Sequence, residues 1–545
     1  MNNNETIFSK HIFLFPFKWD FLKNKKSLKK CYKDRLSLKD FDRCLNENLW
    51  RRSQFECNNI NTYNETSYFY DNINQVVNGL NGIVNNYICK YNGQYLIKVF
   101  EGKEYSLDIE EINLQVCETG IAILTFKLSN SEYRNKQDIL KINDFGRRIY
   151  PAFLSANDDG VCIPFNQHPE WLELKLSEEQ RFKEDFSYFN NENIDNGIYR
   201  KLSNTILSIL GAGVFIDNSK DISKNNILIE PIIDDRMYVM CWYGNSLLAE
   251  EICEKKNDIY QYTLNDDWYK FIYVDGGYIS CTSTIMKNRL IYDNTYDRWI
   301  EYNTLYGCSK YSFVTITSGY KDLDSNGALY LLDHFNGLYY KMVRLILLQR
   351  ASVLRFSDEV AKIAMNIDNY NSGIMNQIDQ LNTLYIKFIN NVYFREFTAQ
   401  DQGIELHKII TNNLNLDKDV KNLESEIQGL HNLLSIKQEK KSSDSLQILS
   451  WLGALIALPS FLVSYFGYFG NEKLMDMMRF GFDKNGFTKN EFILNLYMII
   501  IAPIMIIVAG KLLRNMPKNK MFKNLRNIII YLFVLCILLI FKLYN

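Results

Sequence analysis

Three apolar segments near the end of the chain constrain its fold more than any other feature of the sequence. They span about residues 446–470, 492–513 and 528–543, and the first two meet the ~20 residues that a membrane-spanning helix needs. The third is shorter, and it either crosses the bilayer or lies in the interface. Residues 511–526 carry basic side chains and no acid, which places this loop in the cytoplasm. The sequence predicts a multi-pass protein of the inner or plasma membrane whose large N-terminal part is cytoplasmic.

The first apolar segment carries a stripe of small or weakly polar residues. Their spacing alternates between three and four positions, which places all of them on one face of a helix. The stripe consists of Ser450, Gly453, Ala457, Ser460, Ser464, Gly467 and Asn471. Such a stripe either lets membrane helices pack closely or lines a pore with hydroxyl and amide groups. Glu472 and Asp476 follow it, and carboxylates at the outer mouth of a pore favour cations.

A heptad pattern precedes the first apolar segment. Its apolar positions are spaced by four and three residues for nearly three heptads, as in a coiled coil. They are Leu416, Val420, Leu423, Ile427, Leu430 and Leu434. The pattern predicts a long stalk helix that continues into the apolar segment, and the alternative is a helical hairpin that packs on itself. A coiled coil implies several parallel copies around one axis, which favours a homo-oligomer and the pore-lining interpretation of the stripe.

The N-terminal part alternates strand-like and helix-like runs, which predicts an α/β or α+β domain. Strand-like runs occur at residues 94–100, 120–128, 236–243, 268–281 and 310–317. From Gly327 helical periodicity takes over. We therefore expect three parts, which are a cytoplasmic ligand-sensing domain at 1–325, a long-helix stalk at 326–445 and a C-terminal α-helical transmembrane region at 446–545.

The charge balance and the residue spacing exclude several classes of function. Basic and acidic residues nearly cancel, 62 against 63, so we expect no direct binding of nucleic acid. The 11 cysteines form no CxxC pair and the 5 histidines lie far apart, so no zinc spacing exists. The sequence also lacks a Gly-x-Ser-x-Gly, Walker or paired-carboxylate motif, and we expect no enzymatic activity.

The most loop-like polar cluster of the first domain, Lys141–Pro151, is the candidate ligand site. The candidate ligand-binding residues are Asp144, Phe145, Gly146, Arg147, Arg148 and Trp242. The two arginines offer a clamp for a phosphate group, and the glycine allows close approach of the backbone. The phenylalanine and tryptophan rings offer stacking faces for a nucleobase. The alternatives are a surface arginine pair at the start of a strand and a tryptophan that packs in the core.

The order of cytoplasmic domain, stalk helix and apolar helices resembles the CorA superfamily of pentameric cation channels. The resemblance covers roughly residues 327–514 and includes Pro459 within the first apolar helix. In that family the pore-lining helix ends in Gly-Met-Asn, whereas here Gly470 is followed directly by Asn471. The resemblance implies a homopentamer and, in a transporter, a divalent cation of the magnesium, cobalt or nickel type as cargo. The missing methionine puts selectivity for magnesium in doubt.

Four other runs resemble the divergent CorA-like proteins encoded beside type III CRISPR systems. They are His11–Phe21, Glu118–Leu128, Asp138–Leu154 and Phe394–Leu406. This resemblance implies an antiviral membrane effector that is gated by a nucleotide second messenger, in some systems an S-adenosyl-methionine–AMP conjugate. Binding would then cause ion leakage or membrane disruption. The alternatives are a CorA-type divalent cation transporter and a non-conducting scaffold tethered to the lipid bilayer.

Overall fold

A large mixed β-sheet organises the described part of the chain. The computed structural model describes residues 7–21, 36–100, 102–150, 155–157, 160–162, 168–186, 202–216, 226–319, 327–365 and 372–478. The strands are β1 (Ser9–Phe21), β2 (Trp50–Arg52), β3 (Val84–Cys89), β4 (Gly93–Lys98), β5 (Glu104–Cys117), β6 (Ile121–Asn130), β7 (Ser155–Asn157), β8 (Gly160–Cys162), β9 (Trp171–Lys175), β10 (Arg181–Asp185), β11 (Phe215–Ile216), β12 (Ile227–Pro231), β13 (Tyr238–Gly244), β14 (Lys255–Lys256), β15 (Ile259–Tyr260), β16 (Thr295–Tyr296), β17 (Leu305–Cys308) and β18 (Ser312–Thr317).

The main path of the sheet has the spatial order β10-β9-β4-β5-β6-β1-β13-β18-β17-β16. Its pairs are antiparallel apart from β13 and β18, which run parallel from Val239 and Ser312 onward. Strand β6 lies near the centre and is buried along most of its length. Its nearly continuous apolar sequence is what a strand covered on both faces requires.

Strand β1 changes its partner along one edge, and Pro16 lies at the change. Ser9–Leu14 pair with β13, whereas Phe17–Phe21 pair with β12. The opposite edge pairs with β6 from Ser9 to Lys18. Proline has no N–H group to donate to a sheet, so it is tolerated where one edge lacks a pairing strand. The gap at Pro16 borders the candidate site described below.

Helices cover both faces of the sheet. They are α1 (Leu38–Cys44), α2 (Ile60–Tyr68), α3 (Asp71–Val77), α4 (Lys136–Gly146), α5 (Asn204–Leu210), α6 (Ser246–Cys253), α7 (Asp266–Tyr273), α8 (Thr284–Asp293), α9 (Gly327–His334), α10 (Tyr340–Met365), α11 (Ser372–Asn391), α12 (Asp401–Asn413) and α13 (Leu416–Met478). Side chains alternate between the two faces along β1. On one face His11 hydrogen-bonds Asn143 of α4 at 2.7 Å. On the other face Lys18 forms an ion pair with Asp358 of α10 at 3.1 Å.

The prediction of a strand at residues 268–281 is wrong. Its first part belongs to helix α7, which begins after Asn265. The side chain of Asn265 accepts a hydrogen bond from the Trp268 backbone at 2.8 Å and caps the helix. Trp268, Phe271 and Ile272 are buried on one helical face. The cap and the helical spacing of these buried residues outweigh the strand preference of aromatic side chains.

The first five positions of the heptad pattern are buried within a single chain. Leu416 and Leu423 are each 1 % exposed, and Val420, Ile427 and Leu430 are also buried. Helix α10 lies beside this part of α13, since Arg350 forms an ion pair with Asp419 and Ser357 donates to Glu426 at 3.5 Å. The seam does not require other copies of the chain to bury its apolar residues. A homopentamer therefore stays a prediction.

The C-terminal α-helical transmembrane region is the part of the expected fold class that needs correction. Among the residues that the structure describes, no helix has both the length and the apolar character to cross a membrane. Helix α10, for example, is long, but its apolar residues are buried in the protein and Arg355 and Glu359 are buried with them. We predicted a sheet domain with stalk and transmembrane helices in a CorA-like oligomer. The described residues instead form a mixed sheet covered by helices.

Two compact units divide the chain, residues 1–432 and residues 433–545. The backbone of α13 covers the first apolar segment, and Ser450 and Gly453 of the small-residue stripe are exposed. The other predicted pore and mouth residues have side chains outside the described residues; they are Ala457, Ser460, Ser464, Gly467, Asn471, Glu472 and Asp476. The apolar segments at 492–513 and 528–543 also lie outside the described residues.

Candidate functional site

Five ionisable side chains lie close together where helix α4 ends. This arginine cluster consists of Asp144, Arg147, Arg148, His168 and Arg236. Arg147 follows the last residue of α4. The backbone of Arg148 forms an antiparallel bridge with that of Arg236, and Met237 N donates to Arg147 O at 2.8 Å. The end of the helix and the chain just before β13 are thereby held together.

The carboxylate of Asp144 receives hydrogen bonds from both neighbouring arginines. Nη2 of Arg148 donates to its Oδ1 at 2.7 Å, and Nη2 of Arg147 donates to the same oxygen at 3.2 Å. The Gly276 backbone N–H lies 3.4 Å from Oδ2. Burial disfavours the charged carboxylate, but the attraction of Arg148 and Arg147 outweighs it and lowers the pKa of Asp144. Asp144 is therefore an anion, and its carboxylate already accepts hydrogen bonds from both arginines.

Arg147 is buried with part of its guanidinium group unpaired. The residue is 2 % exposed, and its Nη2 donates to Asp144 and to the Val274 carbonyl oxygen. Its Nε and Nη1 have no acceptor among the described residues. Burial lowers the pKa of Arg147 to about 10, so the group stays charged at neutral pH. A buried donor without an acceptor costs roughly 1–3 kcal/mol, and more when it is charged, so three unpaired N–H groups point to a missing acceptor.

His168 is a second buried side chain without a hydrogen-bond partner. It is fully buried, and neither ring nitrogen has a partner among the described residues. Its ring stacks on Phe186 with centroids 6.0 Å apart. Burial and the positive charges of Arg148 and Arg236 lower the pKa of His168 to about 3, against the attraction of Asp144. The sequence offered no signal for this residue, because a lone histidine fits no motif.

Arg236 brings further charges to the cluster. It lies 3.0 Å from Asp234 and 3.4 Å from Asp235, and its guanidinium lies 5.1 Å from the ring centre of Tyr311. Burial and the neighbouring Asp234 raise the pKa of Asp235 to about 6. The positive charges here are those of the three arginines and Lys310, and the acidic residues are Asp144, Asp234, Asp235 and Asp275. The positive and negative charges of this region therefore nearly cancel.

A small cavity lies beside Arg236. Its volume is about 10 Å³, which is about the space of one water molecule. The lining residues are Pro16, Ile233, Asp234, Arg236, Met237, Tyr238, Lys310 and Tyr311. Pro16 reaches this cavity from the gap in the pairing of β1. A phosphate group needs more room than this cavity offers, so its entry would require the walls to move.

Three of the predicted ligand-binding residues are buried or packed and offer no surface to a ligand at the arginine cluster. Phe145 is 6 % exposed, so its ring is not available as a stacking face. A Cβ atom on Gly146 would lie 2.8 Å from the Phe13 ring, which explains the glycine by packing. Trp242 is fully buried and follows Cys241, which pairs in the sheet with His11, the partner of Asn143 in α4. Because side chains alternate along β13, Trp242 points to the opposite face of the sheet.

A larger cleft lies between helices α11 and α13. Its volume of about 670 Å³ would hold a small organic ligand, and its lining includes Tyr385, Tyr393, Arg395 and Lys421. The cleft is open, and its charges of both signs, including Asp417, face solvent. Solvated charges need no ligand, whereas the buried donors of the arginine cluster lack acceptors. The cluster is therefore the stronger candidate, although the cleft is larger.

The described residues contain no group of three or more His, Cys, Asp or Glu side chains that could hold a metal ion. Comparison with protein-family models, curated proteins and solved structures found no match to this chain. The arginine cluster therefore has to be interpreted from its own chemistry, in which buried guanidinium N–H groups of Arg147 lack acceptors among the described residues.

Proposed function

We propose that this protein is a ligand-responsive sensor whose sheet domain binds a phosphate-bearing ligand, of the nucleotide second-messenger class, at the arginine cluster. The observation that carries the proposal is Arg147, which is 2 % exposed and keeps Nε and Nη1 without acceptors. Guanidinium groups bind phosphate oxygens through paired, charge-assisted hydrogen bonds. A phosphate placed here would accept from the N–H groups that the described residues leave unpaired.

The closed state of the cluster supports a sensor rather than a permanently open binding site. Asp144 holds both arginines, and the adjoining cavity of about 10 Å³ cannot accept a phosphate group. The ligand must compete with the Asp144 carboxylate and move the walls. A ligand that binds only the rearranged state shifts the protein towards it, which is the thermodynamic basis of a conformational response.

A chain of contacts would carry this rearrangement to the long C-terminal helix. Pro16 lines the cavity, and Lys18 on the same strand forms an ion pair with Asp358 of α10 at 3.1 Å. Arg350, two turns earlier in α10, forms an ion pair with Asp419 at the start of α13. A shift of β1 at the cavity would therefore act on α10 and through it on α13. Contiguous ion pairs between rigid elements are a physical route for such coupling.

The resemblance to CRISPR-associated effectors supports the ligand class in this proposal. It suggests adenine nucleotides, including the S-adenosyl-methionine–AMP conjugate, as the first compounds to test. The transmembrane channel that the resemblance implies is not part of this proposal, since the described residues provide no spanning helix. The divalent cation alternative has no corresponding support among the described residues, where no metal-binding group was found.

Calorimetric titration of the purified full chain with AMP, ATP and the S-adenosyl-methionine–AMP conjugate tests the proposal. We expect one of them to bind, and Arg147→Lys to abolish binding because lysine keeps the charge but lacks the guanidinium fork. Arg134→Lys is the matched control, since Arg134 is exposed. Thermal unfolding of each variant shows whether it folds. Absence of binding by all three compounds at millimolar concentration would refute the proposed function.

A further inference from the structure

We infer that His168 is a binding residue of this site, and that the site takes a phosphate monoester whose binding is coupled to proton uptake by His168. The inference rests on the proposed function and adds a residue and a ligand class to it. His168 is fully buried, both ring nitrogens lack a partner among the described residues, and Phe186 supports one face of the ring. A buried imidazole in this situation needs an acceptor, as Arg147 does.

Burial, and after it the charges around His168, keep this side chain neutral before the ligand binds. Arg148 and Arg236 repel a proton on the ring, while Asp144 attracts one. Asp234 and Asp235 flank Arg236, Lys310 lines the same small cavity, and Asp275 interacts with Asp144 and Arg147. Three arginines and Lys310 oppose four aspartates, which leaves little net charge. A neutral imidazole adds none, so the closed site is electrically balanced.

A bound dianion would disturb this balance and favour protonation. Two negative charges placed among these groups offset the repulsion by Arg148 and Arg236, so the pKa of His168 rises on binding. The protonated ring then presents N–H groups to the ligand, in addition to the three unpaired N–H groups of Arg147. This supply of donors fits the three terminal oxygens of a monoester. A diester has two such oxygens and a single charge, and it fits less well.

The experiment titrates the full chain with AMP and with the O-methyl diester of AMP near pH 7.5. Calorimetry in two buffers of different ionisation enthalpy measures the number of protons taken up. We expect uptake of about one proton per bound AMP, as linkage requires when a neutral group becomes charged. The diester should bind about tenfold more weakly or worse, since it lacks one charge and one acceptor. His168→Gln should abolish the uptake while the protein stays folded.

Asp235→Asn is the control for the other group that titrates in this range, because the pKa of Asp235 is raised to about 6. Uptake that survives in His168→Gln but disappears in Asp235→Asn would overturn the inference. Equal binding of AMP and its diester would also overturn it. Binding of AMP without proton uptake refutes the role of His168 and leaves the sensor proposal standing. If neither AMP, ATP nor the conjugate binds, the proposed function fails first.

Discussion

The guanidinium group of Arg355 lies directly against the backbone of Gly120. Nη1 of Arg355 donates to the Gly120 carbonyl oxygen at 2.8 Å, and a Cβ atom on Gly120 would lie 2.5 Å from the guanidinium carbon. The same nitrogen donates to the Trp19 carbonyl oxygen, and Nη2 lies 3.1 Å from Asp20. One buried arginine of α10 thereby joins the β5–β6 turn to strand β1.

This contact predicts that Gly120→Ala destabilises the protein strongly. Gly120 has a φ of +79°, which disfavours a side chain, and the new methyl group would also displace Arg355. The backbone strain costs about 1–2 kcal/mol, and displacement of a packed group adds roughly 1–3 kcal/mol to the loss. The free energy of unfolding, measured by urea denaturation, checks the prediction.

Gly102→Ala is the matched control for this change. Gly102 has a φ of +88°, but nothing lies within 4 Å of a Cβ atom there. Gly102→Ala should therefore lower the free energy of unfolding only by the cost of backbone strain. Equal losses in the two variants would show that the contact with Arg355 contributes nothing beyond the turn conformation.

We predict that Asp144→Asn raises the affinity for a phosphate ligand while it lowers stability. Removing one partner of a buried ion pair costs about 3–5 kcal/mol, because the arginines lose their counter-charge. The same loss removes the internal competitor of the ligand, so binding should tighten on the order of tenfold. Asp138→Asn changes the same residue type at the other end of α4, where Asp138 pairs with Lys103. Weaker binding by Asp144→Asn than by the wild type would contradict competition.

His11 predicts a loss of stability in mild acid. Burial lowers the pKa of His11 from 6.5 to about 4, although its hydrogen bond with Asn143 opposes the shift. The unfolded chain therefore binds a proton between pH 6.5 and 4 that the folded chain does not bind. Stability falls as the pH falls through this window, by about 3 kcal/mol in total from this group.

Denaturant unfolding of the wild type and of His11→Gln at pH 7, 6, 5 and 4 measures this contribution. Glutamine does not titrate, so the variant should be less stable at pH 7 but lose less stability on acidification. His168 and His407 have pKa shifts in the same direction and remain in both proteins. Parallel pH profiles of the two proteins would mean that His11 does not contribute.

The buried heptad seam predicts that Leu423→Ala lowers the stability of each chain by itself. Leu423 is 1 % exposed, and truncation of a buried leucine costs roughly 2–5 kcal/mol. Leu433→Ala should cost far less, because Leu433 is 44 % exposed. The midpoint of thermal unfolding should not depend on protein concentration in either variant. A midpoint that rises with concentration in the wild type would show that the seam joins separate chains.

The local sequence pattern was enough to predict strands and helices where the environment of a residue follows from its neighbours in sequence. The runs at 94–100, 120–128 and 310–317 correspond to β4, β6 and β18, and the helical run after Gly327 corresponds to α9 and α10. The arginine pair was also recognisable as adjacent charges next to a glycine. The prediction that it lies in a loop-like segment is wrong, because residues 141–146 belong to α4 and both arginines are buried. Alternation and helical spacing report which residues share a face, and a single segment contains that information.

Only the tertiary structure decided what these segments meet. Arg236 joins Arg147 and Arg148 across a backbone bridge, and His168 joins them from a separate loop. Trp242 falls on the other face of the sheet from Asn143, because Cys241 pairs with His11, whose side chain meets Asn143. The heptad residues of α13 are buried within their own chain. The physical reason is the same throughout: apolar spacing specifies a face that must be covered, while the partner that covers it depends on contacts between residues far apart in sequence.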